Sequence, residues 1–301
     1  MSSAARWSTA ISLIRLDGAD TRRFLHGQSS QAIELAPTGA CLATCLISPT
    51  ARMRALALVQ LDAGGADLLV LAGDGAGVRQ ALDRVLFPAD QVQLGALESA
   101  QLVRWLGAAA PADAGADLLQ PVVDLGAGAG QPVWLQRQGE ALPAWLEALP
   151  ELPAAAAEQQ RLRQGFPAAP GELNDDTNPF ELGLADWVSL NKGCYVGQET
   201  LAKLATYDGV KQQLRHWRTA AGSTAPLPPG TALSTSSGER AGRISSSLSS
   251  EVGQEGLALV RRSALEATKL IATPEQGSPV ELQLQIPAGF VAPPVGAGGK
   301  G

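Results

Sequence analysis

Apolar positions cluster into short dense runs in the first third of the chain, and the pattern changes from segment to segment. Asp20 can cap a helix predicted over Thr21–Leu35, with Phe24, Leu25 and Ile33 toward its buried side. Segments 41–47 and 53–61 are almost wholly apolar and read as two strands joined by Ser48-Pro49-Thr50. The polar reversal at 62–67 leads into a third strand at 68–72. Val78, Ala81, Leu82 and Val85 then recur at helical spacing and predict a helix from about Val78 to Leu86. Residues 107–158 are rich in Ala, Pro and Gly, apart from a predicted strand at 132–138 and a short helix around 142–148. Beyond residue 214 the chain turns to short alternating runs, LRHWRTA, TALST, RAGRISSSL, EGLALVRR and VELQLQI, separated by Pro, Gly and Ser. That spacing predicts a small antiparallel barrel over 214–292, after an α+β region at 1–213 whose second lobe spans about 52–105. A tail at 293–301 is expected to be disordered.

Composition narrows the function. A chain of 301 residues, 45% hydrophobic, exceeds one small core and suits a multi-domain protein. No run approaches the roughly 18 apolar residues of a membrane span, and the N-terminus lacks the pattern of a cleaved leader, so a cytoplasmic protein is expected. A net charge of −6 opposes general nucleic-acid binding, and the locally basic residues 203–218 read as a solvated face. Three cysteines and two histidines are too few for a standard metal or cluster site. Cys41 and Cys45 fall on one face of an apolar strand and read as core residues, whereas Cys194 sits among polar residues and glycines. Gly73-Asp74-Gly75-Ala76-Gly77 follows a strand and precedes a helix, but Val78 stands where a dinucleotide fingerprint requires its third glycine. This stretch and GAGAG at 126–130 read as connections.

The densest chemistry is Lys192-Gly193-Cys194-Tyr195-Val196-Gly197-Gln198-Glu199. Two glycines permit a sharp turn close to a ligand. A helix beginning near Gly197 and running to Leu204 would aim its N-terminal amides at the loop, and these together with the Lys192 ammonium would favour a Cys194 thiolate. Gln198 and Glu199 supply an amide and a carboxylate that match the donor and acceptor edge of a nitrogen heterocycle. Lys192 or Arg161 could hold a ligand carboxylate.

KGCYVGQE resembles the K-G-C-[FY]-x-G-Q-E signature of the YgfZ family of folate-binding proteins, relatives of the aminomethyltransferase of glycine cleavage. Asp20, Phe24, Leu25, Gly27 and Gln28 match an N-terminal D-x-x-x-F-L-x-G-Q element, and Arg161, Gly165 and Pro167 an R-x-x-x-G-x-P element. Pro179 and Glu181 match P-x-E, and GERAGRISSS is similar to the family's barrel region, so the likeness covers about residues 12–270. It implies a three-lobed aminomethyltransferase-like fold, two intertwined N-terminal lobes (one ferredoxin-like) and a C-terminal barrel, around a tetrahydrofolate site. It further implies a role in assembly or repair of iron–sulfur proteins, including a cluster enzyme of tRNA methylthiolation. By position Lys192 and Cys194 would be the functional pair, with Gly193, Tyr195, Gly197, Gln198, Glu199, Arg161 and Glu181 binding the cofactor.

Two residues depart from the related patterns. Arg163 stands where aminomethyltransferases carry an acid in R-x-E-x-G, and Lys203 where an arginine often follows the signature. The expectation is therefore a folate-binding accessory factor rather than an aminomethyl or other one-carbon transferase. A thiol hydrolase would need a histidine base for Cys194, with His26 and His216 as its only candidates.

Overall fold

The computed structural model describes residues 4–112, 114–115, 117–126, 130–221, 226–251, 253–275 and 277–296. They form two compact units, Met1–Pro153 with Asp186–Leu201, and Ala154–Ala185 with Ala202–Gly301. The chain thus leaves the first unit after residue 153, returns for sixteen residues that include the KGCYVGQE segment, and leaves again.

The first unit is built on a seven-stranded antiparallel sheet. Its strands are β1 (Ala5–Asp17), β2 (Cys41–Ile47), β3 (Met53–Leu61), β4 (Gly65–Gly73), β5 (Gln93–Leu106), β6 (Leu118–Leu119) and β7 (Val133–Arg137), in the order β2-β3-β4-β1-β5-β7-β6. The apolar runs predicted at 41–47, 53–61, 68–72 and 132–138 appear as β2, β3, β4 and β7. The two longest strands, β1 and β5, carry no clean alternation, yet they pair with each other and hold the middle of the sheet. Their polar positions are absorbed by local partners: Arg104 donates to Thr9 Oγ1 at 2.8 Å, and Arg15 pairs with Asp62 and Asp17. Helices α1 (Thr21–Gln28) and α2 (Gly75–Val85) set Phe24, Leu25, Val78 and Leu82 into one core with Ile14, Leu16, Val59 and Leu68. A second cluster gathers Trp105, Trp134 and Trp145 edge to face near the short helix α3 (Ala144–Glu147).

Two boundaries and one cap differ from expectation. α1 ends at Gln28 rather than Leu35, because Ser29 is extended at φ −136° and ψ 168°. Asp20 makes no cap hydrogen bond to that helix, and its carboxylate accepts from Gln91 N at 3.0 Å instead. α2 begins three residues early, since Asp74 accepts from Ala76 N at 3.1 Å and caps it. Gly73–Gly77 is a strand-to-helix cap, as a connection should be; residues 127–129 of the second glycine-rich stretch lie outside the described residues.

In the second unit six strands close a barrel: β8 (Gln212–Thr219), β9 (Ala232–Ser234), β10 (Arg240–Ser250), β11 (Gly253–Arg261), β12 (Lys269–Thr273) and β13 (Val280–Gln285), in the order β10-β11-β8-β13-β12-β9. Only β12 lacked a sequence prediction. Trp217 fills the barrel with Leu233, Ile244, Val260 and Leu282, and its indole N–H donates to Leu257 O at 3.1 Å. Helix α4 (Ala154–Gln164) lies against β10 and β11. The continuous helix α5 (Gln198–Thr206) carries the chain from one unit to the other. No described helix is long and apolar enough to cross a membrane. In the tail Gly296 N donates to Ala205 O at 3.1 Å, and residues 297–301 lie outside the described residues.

Between α4 and the barrel, Glu255 gathers three donors: Gln159 Nε2, Arg163 Nε at 3.4 Å and His216 Nε2 at 3.0 Å. Arg163 is thereby matched by an acid from β11. Burial, with the nearby charges of Arg218 and Arg163, lowers the His216 pKa despite Glu255, so the ring stays neutral at pH 7 and donates to the carboxylate. The unfolded chain therefore binds the His216 proton at a higher pH than the folded one, and stability falls as pH drops through 6.5. Urea titrations at pH 7.5 and pH 5 should show a smaller loss in His216→Gln than in wild type.

Candidate functional site

α1 stops short of its predicted length, and a helix that stops leaves its last carbonyls without intrahelical donors. The structure gives partners to three of them, those of Leu25, His26 and Gly27, and to carbonyls just past the helix end. Leu25 O accepts from Ser29 Oγ at 2.7 Å, and Gly27 O from Val196 N at 3.1 Å. Ser30 O accepts from Ser189 N at 2.8 Å. The carbonyls of His26, Ser29 and Gln31 converge on Lys192 Nζ, the last two at 2.6 and 2.8 Å. Ser30 Oγ adds a bond to Trp187 O at 2.6 Å. Two motifs about 165 residues apart, LHGQSSQ and KGCYVGQE, are thus acceptor and donor halves of one junction.

Lys192 has a different role from the one expected of it. Its three ammonium hydrogens go to three carbonyls, and among the described residues no hydrogen bond joins Nζ to Cys194. The side chain is buried and lies over the Tyr195 ring, 4.3 Å from its centroid. Burial pushes its pKa down to about 7. A neutral amine has only two hydrogens for three acceptors, so the geometry selects the ammonium form.

The rest of the loop follows. Gly197 has φ +82°, and a Cβ there would stand 2.7 Å from Ile47 Cδ1 and 2.7 Å from Ser48 O, so only glycine fits beside the end of β2. Gly193 is under no such constraint, with nothing within 4 Å of a Cβ. Tyr195 is buried, and its hydroxyl has no hydrogen-bond partner among the described residues. Gln198 Nε2 donates to Lys192 O at 3.3 Å, and Glu199 is exposed at the start of α5. Cys194 is exposed, whereas Cys41 and Cys45 are buried in β2, where burial raises both thiols, Cys41 to about 12. The loop therefore presents one thiol to solvent while clamping its neighbours.

The other two expected ligands are in the second unit, each held locally. Arg161 donates to Glu158 at 2.8 and 2.7 Å and to Phe166 O at 2.7 Å, and approaches buried Glu172 at 3.5 Å. Glu181 accepts from Asn178 N at 3.1 Å within the Pro179 turn. Each histidine has its own local partner: His26 Nδ1 accepts from Glu34 N at 3.2 Å, and His216 Nε2 is bonded to Glu255 at 3.0 Å. Among the described residues no group of three His, Cys, Asp or Glu side chains could hold a metal ion.

Sequence reasoning missed a cavity beside the loop. It measures about 530 Å³ and is walled by Val196, Ile47, Val78 and Leu82, with Gln28, Ser48, Asp74, Arg54 and Arg84 as its polar groups. Gln28 lies in the N-terminal motif and Val196 in the signature, so the junction forms part of its wall. The hint in the sequence was Asp74 in the glycine-rich stretch, which reads as a connection and is also a cap.

Over 97% of this chain and 88% of its own, the glycine cleavage system aminomethyltransferase T from Bartonella henselae superposes with a TM-score of 0.73 at 17% identity. The fold is aminomethyltransferase-like. Residues 215–290 match the profile of the CAF17 C-terminal beta-barrel domain. A relative from Arabidopsis thaliana, the putative transferase At1g60990, chloroplastic, is 28% identical over 282 residues. That likeness covers 83% of this chain and 63% of the relative, so the chain spans less than two thirds of that protein.

The junction makes two stability predictions. Lys192→Met leaves three carbonyls without donors and should cost about 2–4 kcal/mol in urea unfolding, whereas Cys194→Ser should fall within about 0.5 kcal/mol of wild type. Tyr195→Phe removes an unpartnered hydroxyl and keeps the ring under Lys192, so it should raise stability by about 1 kcal/mol, read as a higher urea midpoint with an unchanged slope.

Proposed function

We propose that this protein is a folate-binding accessory factor for iron–sulfur proteins, in which the Lys192-clamped loop offers Cys194 beside a reduced-folate cavity. The observation that carries the reading is the contrast within one segment: Lys192, Tyr195 and Gly197 are fixed by carbonyls, core and close packing, while Cys194 between them is exposed. A loop serving only the fold has no need of a solvent-facing thiol at its apex. The aminomethyltransferase-like fold and the match to a CAF17 barrel support the same direction.

The cavity beside Val196 has the groups a reduced folate needs. Apolar Ile47, Val78 and Leu82 suit its rings, the Asp74 carboxylate and Gln28 amide suit the donor edge of a pteridine, and Arg54 and Arg84 suit the carboxylates of the glutamate tail. Folate, when bound, supplies a one-carbon carrier. The chain's own residues bind and orient it, and the loop keeps the sulfur in the open. An iron–sulfur cluster would be cargo, with Cys194 giving one sulfur and the partner protein the others, a cluster enzyme of tRNA modification among the candidates.

A second reading, one-carbon transfer from an aminomethyl donor, draws on the fold of the aminomethyltransferase neighbour. Arg163 speaks against it, because a guanidinium bonded to Glu255 occupies the place where the resemblance expects an acid.

Calorimetric titration with tetrahydrofolate should give saturable binding that Arg84→Glu weakens at least tenfold and Cys194→Ala leaves within twofold. In cells lacking the protein, Cys194→Ala should fail to restore cluster-enzyme activity. Formation of 5,10-methylene-tetrahydrofolate from an aminomethyl donor would favour the second reading.

A further inference from the structure

The first residues of β8 and β10 and the last residue of β11 come together around one pocket of the barrel. β11 pairs with β8 so that Arg261 faces Gln212, and β10 runs beside β11 with Arg243 opposite Leu259. Between them lies a pocket of about 240 Å³ lined by Arg240, Arg243, Arg261, Gln212 and Asp176 over a floor of Gly242 and Leu259. Gly242 makes this floor possible, because a Cβ at that position would collide with Leu259 O.

The charge balance of the pocket is unusual. Arg243 reaches Asp176 at 3.7 Å. Arg240 and Arg261 make no ion pair and no side-chain hydrogen bond among the described residues. Three guanidinium charges against one carboxylate leave two positive charges around a concave space, although the chain as a whole carries −6. Like charges held together in a recess repel one another unless an anion joins them. Guanidinium groups present planar forks of donors that match the oxygens of phosphate and carboxylate. A single carboxylate would leave one charge unmatched, whereas a phosphate monoester dianion balances both.

A volume of 240 Å³ equals the share of about eight water molecules, enough for a phosphate together with several waters. The pocket does not end there. Arg243 and Asp176 also line a neighbouring cavity of about 650 Å³, bordered by Asn174, Ser246, Ser247 and Glu158. A ligand anchored by its phosphate among the arginines can extend past this shared wall into a space rich in hydroxyl, amide and carboxylate groups.

We propose that the barrel carries a binding site for a small phosphate monoester, with the phosphoryl group among Arg240, Arg243 and Arg261 and a polyhydroxylated body in the adjoining cavity. The site lies wholly within the second unit and is independent of the folate reading.

The test is calorimetric titration of the full chain with ribose 5-phosphate, inorganic phosphate, dimethyl phosphate and a single-stranded RNA lacking terminal phosphates. Ribose 5-phosphate should bind saturably, at least tenfold more tightly than dimethyl phosphate and more tightly than inorganic phosphate. The double variant Arg240→Ala, Arg261→Ala should lose at least tenfold in that affinity while keeping the wild-type melting temperature and tetrahydrofolate titration, because both side chains are exposed and unpaired. Absence of saturable binding, equal binding by dimethyl phosphate or by the RNA, or unchanged affinity in the double variant would each overturn the site.

Discussion

Everything at the candidate site depends on a helix that stops early. Once α1 ends at Gln28, a run of peptide carbonyls faces inward with no helix to continue the ladder, and buried carbonyls without donors are costly. A side chain with a single polar hydrogen could satisfy one of them. An ammonium, with three, can satisfy the cluster formed by His26, Ser29 and Gln31, and it places positive charge at the negative end of the helix dipole. The desolvation of Lys192 is offset by these three bonds and by the Tyr195 ring.

That constraint divides labour within eight residues. The lysine beside the exposed thiol is committed to the scaffold, so the openness of Cys194 comes from its neighbours being held: Lys192 by carbonyls, Tyr195 by burial, and Gly197 by the tight approach of Ile47 and Ser48. The aromatic ring lies under the ammonium, and among the described residues the phenol hydroxyl finds no partner. The same junction delivers Gln28 and Val196 to the wall of the cavity, coupling the loop's anchorage to the shape of the space beside it.

Much of the fold was legible because apolar runs at period two and at helical spacing are local signals. β2, β3, β4, β7 and five of the six barrel strands follow them. β1 and β5 were hidden because their polar residues, Thr9, Arg15 and Arg104 among them, are satisfied by partners that only the folded sheet supplies. The end of α1 was hidden for a similar reason: its carbonyls are capped from residues 189–196, which no window around residue 28 contains. At the site, the sequence singled out the segment that the structure folds into the junction, and it linked Lys192 to the Cys194 sulfur where the structure bonds the ammonium to backbone carbonyls and leaves the thiol exposed. Arg161 and Glu181 could be named as candidates, while the partners that already hold them, Glu158 and Asn178, each stand only three residues away in the chain.

The clamp is open to direct observation. In ¹⁵N-lysine NMR spectra at pH 6, below the lowered pKa of Lys192, an ammonium bonded to three carbonyls should give a separate, slowly exchanging NH₃⁺ signal that disappears in the Lys192→Met variant. Spectra in which every lysine ammonium exchanges as fast as a solvent-exposed one would contradict the account.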